Sequence, residues 1–353
     1  MKIFTCQQCD GIVYFENTTC ERCSSVLGYV VDLGTLSAMT PKGANWAALA
    51  APGRLFRFCS NWERRACNWL VPEGAGTEYC AACRHNHAIP DVTDPLRHQQ
   101  WQKIEEAKRR LFYSLIKLRL PLLSASDGGK EPLVFDFLAD VPDRAKVMTG
   151  HDNGRITIAL AEADDAQREK NRTQMGEGYR TLLGHFRHEV GHYYWDVLVR
   201  DGGKIETFRS IFGDERLDYS EALSRHYRCG APPDWRDQFV SSYASVHPWE
   251  DFAESWAHYI HIVDTLEMAY AFGLSVAPSA GHGDELRASV DRNPYRLIGI
   301  KSLIEAWLPI TAAVNNLNRS MGQPDLYPFV LSTPAIQKIG YIEDIIHANH
   351  KSL

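Results

Sequence analysis

The chain has 353 residues and a formal net charge of −6, so it is long enough for more than one domain with a core of its own. The charge excludes an overall basic field of the kind that attracts nucleic acid. The most apolar stretch, residues 297–314, is interrupted by Lys301 and Glu305, so no membrane-spanning helix is expected. Because the N-terminus lacks the pattern of an export signal, we expect a cytoplasmic protein without a membrane partner.

Cysteines are concentrated near the N-terminus, where eight of the nine lie before residue 84. They are Cys6, Cys9, Cys20, Cys23, Cys59, Cys67, Cys80 and Cys83, whereas Cys229 stands alone. Without an export signal, metal binding explains this pattern better than disulfides do. We therefore expect a β-rich zinc-ribbon region over residues 1–90.

The first four cysteines predict one structural zinc site. Cys6/Cys9 and Cys20/Cys23 are C-x-x-C pairs ten residues apart, which fits two knuckles on a ribbon with strands at 12–15 and 26–31. Four thiolates leave no open position for water, so such a site is structural.

The other four cysteines, Cys59, Cys67, Cys80 and Cys83, predict a second structural zinc site but contain only one close pair. Three alternatives to this second site stay open. The eight cysteines could be interleaved between the two sites, Cys59 and Cys67 could be buried free thiols, or His85 or His87 could replace a thiol.

Arginines cluster near two tryptophans in this region and could form a local surface for nucleic acid or another partner. The residues are Arg54, Arg57, Arg64, Arg65, Trp62 and Trp69. Eight basic residues stand against nine acidic ones before residue 96, so an ordinary solvated face is favoured.

Residues 89–95 predict a boundary, after which residues 96–353 form a second, mainly helical domain. Apolar side chains at helical spacing predict a helix over 96–118. Strands are predicted at 134–138 and 155–160, the second after an Asn153-Gly154 turn, and residues 162–175 are expected to be loop or mobile helix. The fold class is therefore α+β.

The strongest motif is His-Glu-x-x-His at residues 188–192, on a helix predicted over 178–199. His188 and His192 lie one turn apart on one face, where both imidazoles can bind one zinc ion. Glu189 can then act as general base toward a zinc-activated water. Small Val190 and Gly191 allow this helix to pack tightly against a core, and a core helix with two satisfied histidines is the alternative.

A third ligand is expected from a second helix. A Gly and a His three and six residues after His192 would define one class of peptidase, but Trp195 and Leu198 stand there. Glu250 and Glu254 lie on a helix that is predicted to begin near Pro248. Glu250 is the best candidate for the third zinc ligand, and Glu254 is the best candidate for an acceptor that orients a ligand histidine. An exposed acidic first turn is the alternative. Asp251 competes less well, and Asp196 is another possible orienting acid.

The remaining segments are expected to frame this site. Helices are predicted at 217–229, 259–272, 296–321 and 334–347, with a flexible loop at 273–283 that could cover a cleft. His258, His261 and His282 are expected to be packed or exposed histidines and not ligands.

A Glu-x-x-x-Glu pair after His-Glu-x-x-His resembles the gluzincins, and Phe-Ala-Glu at 252–254 resembles their lethal-factor branch more closely. That resemblance implies a zincin-like fold and implies Tyr243, seven residues before Glu250, as the donor to the oxyanion, with His247 as its rival. One departure is His185, where zincins more often carry Val or Thr, so a third imidazole on the metal face stays open.

The whole chain is similar to a bacterial family of zinc-binding metallopeptidases with an N-terminal zinc ribbon. The segments that carry this similarity are 14–20, 67–72, 188–195 and 247–258. It implies a zinc-dependent endopeptidase with one catalytic and two structural zinc ions, acting on a protein or peptide. Two alternatives stay open: a zinc-ribbon binding module for nucleic acid or protein with a vestigial site, and a hydrolase of non-peptide amides or esters.

Overall fold

A computed structural model describes residues 3–128, 131–175, 181–279, 286–296 and 299–350, with the side chains of 171–175 and of residue 350 excluded. The chain divides into two compact units. The first unit comprises residues 1–113, 122–150 and 154–164, and the second comprises 114–121, 151–153 and 165–353. Each is described separately below.

The first unit begins with short antiparallel strands. β1 and β2 form a two-stranded ribbon, and β3 to β7 form a five-stranded antiparallel sheet in chain order. Their bounds are β1 Phe4–Thr5, β2 Ile12–Val13, β3 Leu27–Val30, β4 Thr35–Lys42, β5 Asn45–Ala48, β6 Leu55–Phe58 and β7 Leu70–Pro72.

Side chains from the five-stranded sheet bury a small apolar core that includes Val30, Met39, Phe56 and Leu70. β3 approaches β7 closely at Gly28, where a Cβ atom would lie 2.6 Å from the side chain of Leu70. A larger residue at position 28 would therefore displace part of this core.

The rest of the first unit contains a parallel arrangement and most of a long helix. β9 pairs in parallel with both β8 and β11, so the three lie in the order β11-β9-β8. The bounds are β8 Asn86–Ala88, α1 Pro95–Lys117, β9 Val134–Leu138 and β11 Arg155–Ala159, whereas only the first residue of β10 Gly150–Asp152 belongs to this unit. Asn153 and Gly154 have φ of 47° and 83°, as a two-residue turn with both residues left-handed requires.

A charged pair is buried on α1. Lys108 Nζ lies 2.9 Å from Glu105 Oε2, and both side chains are fully buried. Burial raises the pKa of Glu105 to about 7, against the opposing effect of Lys108. Lys108 also donates to Asn86 Oδ1, so each charged group has polar partners inside the unit.

The second unit is mainly helical. Its helices are α2 Asp165–Met175, α3 Leu182–Tyr194, α4 Ile205–Phe212, α5 Tyr219–Cys229, α6 Trp235–Gln238, α7 Pro248–Ala271, α8 Ile300–Ser320 and α9 Thr333–His350. A π-helical segment, Trp195–Arg200, continues α3, and two short strands, β12 Ser275–Val276 and β13 Ala288–Ser289, pair antiparallel.

The core of the second unit forms where α3 packs against α7, which also contacts α8 and α9. Gly191 marks a close approach of α3 to α7, because a Cβ atom there would lie 3.0 Å from Ala253 Cα and 3.2 Å from Trp256. Tyr194 stacks on Trp256 at 4.8 Å between ring centroids. The small residue inside the His-Glu-x-x-His motif therefore lets the two helices meet.

A buried ion pair also joins these helices. Arg187 of α3 donates to Asp264 of α7, and both side chains are 5% exposed. Ser114 Oγ and Tyr295 Oη each donate to Asp264 Oδ1 over 2.8 Å. The carboxylate thus has enough donors to compensate for its desolvation.

The coarse fold prediction is confirmed: a β-rich N-terminal region precedes a helical one, in a mixed α/β chain. Some expectations were wrong in extent. The helix predicted over 178–199 begins at Leu182 and changes to π-helix at Trp195, whereas residues 165–175, expected to be loop or mobile helix, form a helix. Residues 178–180 and His282 lie outside the described residues. The short strand β12, Ser275–Val276, lies within the predicted 273–283 loop.

Within the described ranges, no helix is long and apolar enough to cross a membrane.

Candidate functional site

The first cysteine cluster lies in the ribbon at the start of the chain. The Sγ atoms of Cys6 and Cys23 are 3.7 Å apart, and those of Cys9 and Cys20 are also 3.7 Å apart. A tetrahedral zinc with Zn–S bonds of about 2.3 Å holds its sulfurs about 3.8 Å apart. The four thiols therefore fit one zinc ion with Cys6, Cys9, Cys20 and Cys23 as its complete ligand set.

The second cluster is formed by Cys59, Cys67, Cys80 and Cys83, all buried. Cys67 Sγ and Cys80 Sγ are again 3.7 Å apart. Burial raises the pKa of the Cys67 and Cys80 thiols well above the ordinary value. A cation that binds here must displace these protons, so its affinity is expected to fall at low pH.

Neither neighbouring histidine belongs to this cluster. His85 Nδ1 lies 2.7 Å from the carbonyl oxygen of Leu133, and its ring packs on Phe112. His87 Nδ1 lies 2.7 Å from Asp136 Oδ1. The eight ribbon cysteines thus form two separate groups of four, without interleaving or a histidine substitute.

A third cluster joins α3 and α7 in the second unit. His188 and His192 face Glu250, with His188 Nε2 3.2 Å from His192 Nε2. Glu250 Oε2 lies 2.9 Å from His188 Nε2 and 3.4 Å from His192 Nε2. A tetrahedral zinc with bonds near 2.0–2.1 Å separates its ligand atoms by about 3.3 Å. These three atoms therefore fit one zinc ion and leave its fourth position open.

Charge and burial at Glu250 also fit a cation. The side chain is 2% exposed, and Oε2 accepts no hydrogen bond from the described part of the chain. Burial opposes ionisation of this carboxyl, but His192 and His188 hold its pKa well below the usual value. A buried, ionised oxygen beside two imidazole nitrogens is a strong donor set for Zn²⁺.

His188 is oriented by a carboxylate of α7 that contacts its Nδ1 atom. Its Nδ1 lies 2.7 Å from Glu254 Oε1, which leaves Nε2 to face Glu250 and His192. Ser241 Oγ donates to Glu254 Oε2 over 2.5 Å, so both carboxylate oxygens have partners. Such a carboxylate–histidine contact fixes the ring and its tautomer.

His192 is held by aromatic packing. The ring centroid of His192 lies 3.8 Å from that of Trp249 and 6.1 Å from that of His151. His151 Nε2 is 3.9 Å from Asp196 Oδ2, whereas Asp196 Oδ1 accepts from Arg200 over 2.9 Å. The described contacts thus place His151 between His192 and Asp196, and a direct orienting role of Asp196 stays a prediction.

Two tyrosines face the same cluster from different segments. The ring of Tyr243, in a 3₁₀ turn before α7, lies 5.9 Å from that of His188. Tyr219, the first residue of α5, donates its hydroxyl to Glu250 Oε1 over 2.6 Å. Burial and then Glu250 raise the pKa of Tyr219, whose hydroxyl also hydrogen-bonds to Tyr243.

The other candidates take different positions. His247 is the N-cap of α7: its Nδ1 accepts from the Trp249 amide over 3.1 Å, and its Nε2 lies 3.0 Å from the Leu217 carbonyl oxygen. Asp251 forms a buried ion pair with Lys338 at 2.6 Å, and His185 is not among the clustered ligand atoms.

Sequence reasoning missed Tyr219, Ser241, Trp249 and His151. Tyr219 and His151 come from chain segments far from the motif, and neither lies in a recognisable pattern. Trp249 precedes Glu250 directly, so its position in the first turn of α7 was the one available signal. Asp218 caps α5 by accepting from the Glu221 amide over 2.9 Å.

Together, a His-Glu-x-x-His helix, a glutamate from a second helix and two four-thiol clusters define a zinc-binding protein of the metallopeptidase class. Comparison with protein families agrees. Residues 97–345 match a family described as "Putative zinc-binding metallo-peptidase", and residues 3–94 match a zinc-ribbon domain. The chain therefore belongs to this metallopeptidase family and carries an N-terminal zinc ribbon.

Relatives extend over nearly the full chain. Uncharacterized proteins of Mycobacterium tuberculosis and Mycobacterium bovis are each 39% identical over 347 residues, which covers 98% of this chain and 95% of theirs. No solved structure matches the chain.

Proposed function

We propose that the protein is a zinc-dependent endopeptidase of the gluzincin type, with a zincin-like catalytic region. The observation that carries this proposal is the cluster of His188 Nε2, His192 Nε2 and Glu250 Oε2, with pairwise distances of 2.9–3.4 Å. Three protein ligands leave a fourth position open, which is the arrangement of catalytic and not structural zinc.

The side chains around this cluster can perform peptide hydrolysis. Zinc, when bound, supplies Lewis acidity toward the scissile carbonyl and toward water. Glu189, next in sequence to His188, is half-buried and takes one proton from the attacking water as the new C–O bond forms. It then delivers this proton to the leaving amine as the C–N bond breaks.

Tyr243 is the proposed donor to the oxyanion that develops on the carbonyl oxygen. Tyr243 is favoured over His247 as this donor because both ring nitrogens of His247 already contact backbone groups. Losing one such donor typically lowers turnover on the order of 10²–10³-fold.

Glu189→Gln tests the reaction directly. The amide cannot take a proton but keeps the size of the side chain, so we expect unchanged zinc content and a loss of cleavage of about 10²–10⁴-fold. Cleavage is measured by mass spectrometry on a peptide library with the full-length protein. Glu221→Gln, an exposed change on α5, is the matched control and should cleave like the wild type.

Cleavage by Glu189→Gln at the wild-type rate would contradict the mechanism. Hydrolysis of non-peptide amides or esters alone by the wild-type protein would instead support the alternative substrate class.

A further inference from the structure

The two oxygens of Glu250 have different partners. Oε2 faces His188 and His192, whereas Oε1 accepts a hydrogen bond of 2.6 Å from the Tyr219 hydroxyl. A carboxylate with one oxygen held in this way offers only the other to a metal. We propose that Tyr219 is a positioning residue that keeps Glu250 a one-oxygen ligand, an inference that rests on the proposed function.

The position of Tyr219 is built into the fold. Tyr219 is the first residue of α5, and the Asp218 side chain caps that helix. The carbonyl of Leu217, two residues earlier, contacts His247 Nε2 at 3.0 Å. His247 is itself the N-cap of α7, the helix that carries Glu250, so one residue joins the start of both helices.

Aromatic contacts restrict the Tyr219 ring further. It packs edge-on against His247 at 5.5 Å and against Trp249 at 6.0 Å between centroids. Trp249 in turn packs at a tilt against His192. Tyr219 thus contacts a neighbour of His192, and its hydroxyl is aimed at Glu250.

The two tyrosines therefore have separate tasks. A phenol has one proton to donate, and that of Tyr219 is used on Glu250. The Tyr243 hydroxyl hydrogen-bonds to the Tyr219 hydroxyl and not to one of the three ligand side chains, and it can turn from Tyr219 to donate to the substrate oxygen. Outer contacts to metal ligands typically change metal affinity by 10–100-fold, whereas an oxyanion donor changes turnover.

Tyr219→Phe and Tyr243→Phe separate these tasks in the full-length protein. For Tyr219→Phe we expect zinc affinity at the histidine–glutamate cluster to fall by about 10–100-fold in competition with a chelator. With Co²⁺ in that cluster, its visible absorption should weaken because Glu250 can then bind through both oxygens and raise the coordination number. Phenylalanine keeps the ring contacts, so the fold and the two ribbon zincs should be retained.

Tyr243→Phe should leave the zinc affinity and the Co²⁺ spectrum unchanged and lower turnover by about 10²–10³-fold. Tyr270→Phe, at an exposed position near the end of α7, is the matched control and should change neither quantity.

Tyr219→Phe with wild-type zinc affinity and Co²⁺ spectrum would overturn the proposal, whatever its activity. The zinc and cobalt measurements do not need a substrate. If the wild-type protein cleaves no peptide while Tyr219→Phe still alters the zinc affinity and the Co²⁺ spectrum, the proposed peptidase function fails and the positioning role of Tyr219 stands.

Discussion

The cysteine clusters of the first unit and the histidine–glutamate cluster of the second differ in completeness. Each cysteine cluster provides four thiols at tetrahedral spacing, with Sγ–Sγ distances of 3.7 Å. The other cluster provides three atoms at 2.9–3.4 Å, with Glu189 and two tyrosines beside it. A complete ligand set can only stabilise a fold, whereas an incomplete one can bind and activate a reactant.

The units also differ in what holds them together. The five-stranded sheet of the first unit has short strands and a small core, so we expect the metal sites to supply much of the stability of this region. In the second unit, long helices bury Tyr194, Val190, Trp256 and Ile260, so we expect this core not to depend on the metal cluster. Removing zinc should therefore affect the two units differently.

The largest effect is expected from Cys67→Ser. Structural zinc contributes about 10–16 kcal/mol of binding free energy to folding, so the variant should lose one zinc and unfold the region around β5 to β7. Hydrogen exchange measures this region directly. Cys229→Ser, at the exposed cysteine outside both clusters, is the control and should exchange like the wild type.

The same experiment on His188→Ala/His192→Ala sharpens the contrast. Zinc loss there should leave hydrogen exchange in α7 and α9 slow. Rapid exchange of those helices would show that the second unit also depends on its metal.

A smaller effect is expected from Lys108→Met, which leaves the buried Glu105 without its cation. Breaking a buried pair by removing one partner typically costs about 3–5 kcal/mol, so the free energy of unfolding should fall by that amount. Urea unfolding of the zinc-loaded protein measures it. Lys301→Met, at a side chain that is 87% exposed, should have almost no effect. Equal effects of the two changes would contradict the role of the buried pair.

The smallest effect concerns pH and the second unit. Burial lowers the pKa of His258 to about 4, and its Nδ1 contacts the Tyr327 hydroxyl. Because an unfolded histidine has a pKa of about 6.5, the unfolded chain binds a proton at pH 5 that the folded chain does not. The free energy of unfolding should therefore fall by about 2 kcal/mol from this residue between pH 7 and pH 5.

Unfolding of wild type and His258→Asn at both pH values checks this expectation. The variant should lose about 2 kcal/mol less than the wild type on acidification. Parallel pH dependence in the two proteins would rule out His258 as a source of acid sensitivity.

Sequence patterns predicted the elements that carry strong local signals. Apolar spacing located α1, Pro248 with the Glu250/Glu254 spacing located the start of α7, and C-x-x-C spacing located the thiol groups. The strands β4 to β7 were missed because β5 to β7 have only three or four residues each, Pro and Ala occupy positions in β4, β5 and β7, and their pairing depends on tertiary contacts. The end of α3 was missed because nothing in Trp195–Arg200 distinguishes a π-helix from an α-helix.

The residues of the candidate site divide in the same way between those with a local sequence signal and those without one. His188, His192 and Glu250 could be proposed because each lies in a motif with a chemical reason for its spacing. Tyr219 could not, since its contact with Glu250 spans 31 positions and depends on how α5 begins beside the N-cap of α7. Residues that orient ligands are set by tertiary structure and not by local pattern.

Zinc per chain, determined by elemental analysis on wild type and on His188→Ala/His192→Ala, tests the central claim most directly. Two complete thiol clusters and one open cluster predict about three zinc ions in the wild type and about two in the variant. The same zinc content in both proteins would mean that His188 and His192 hold no metal, and would contradict the account of the second unit.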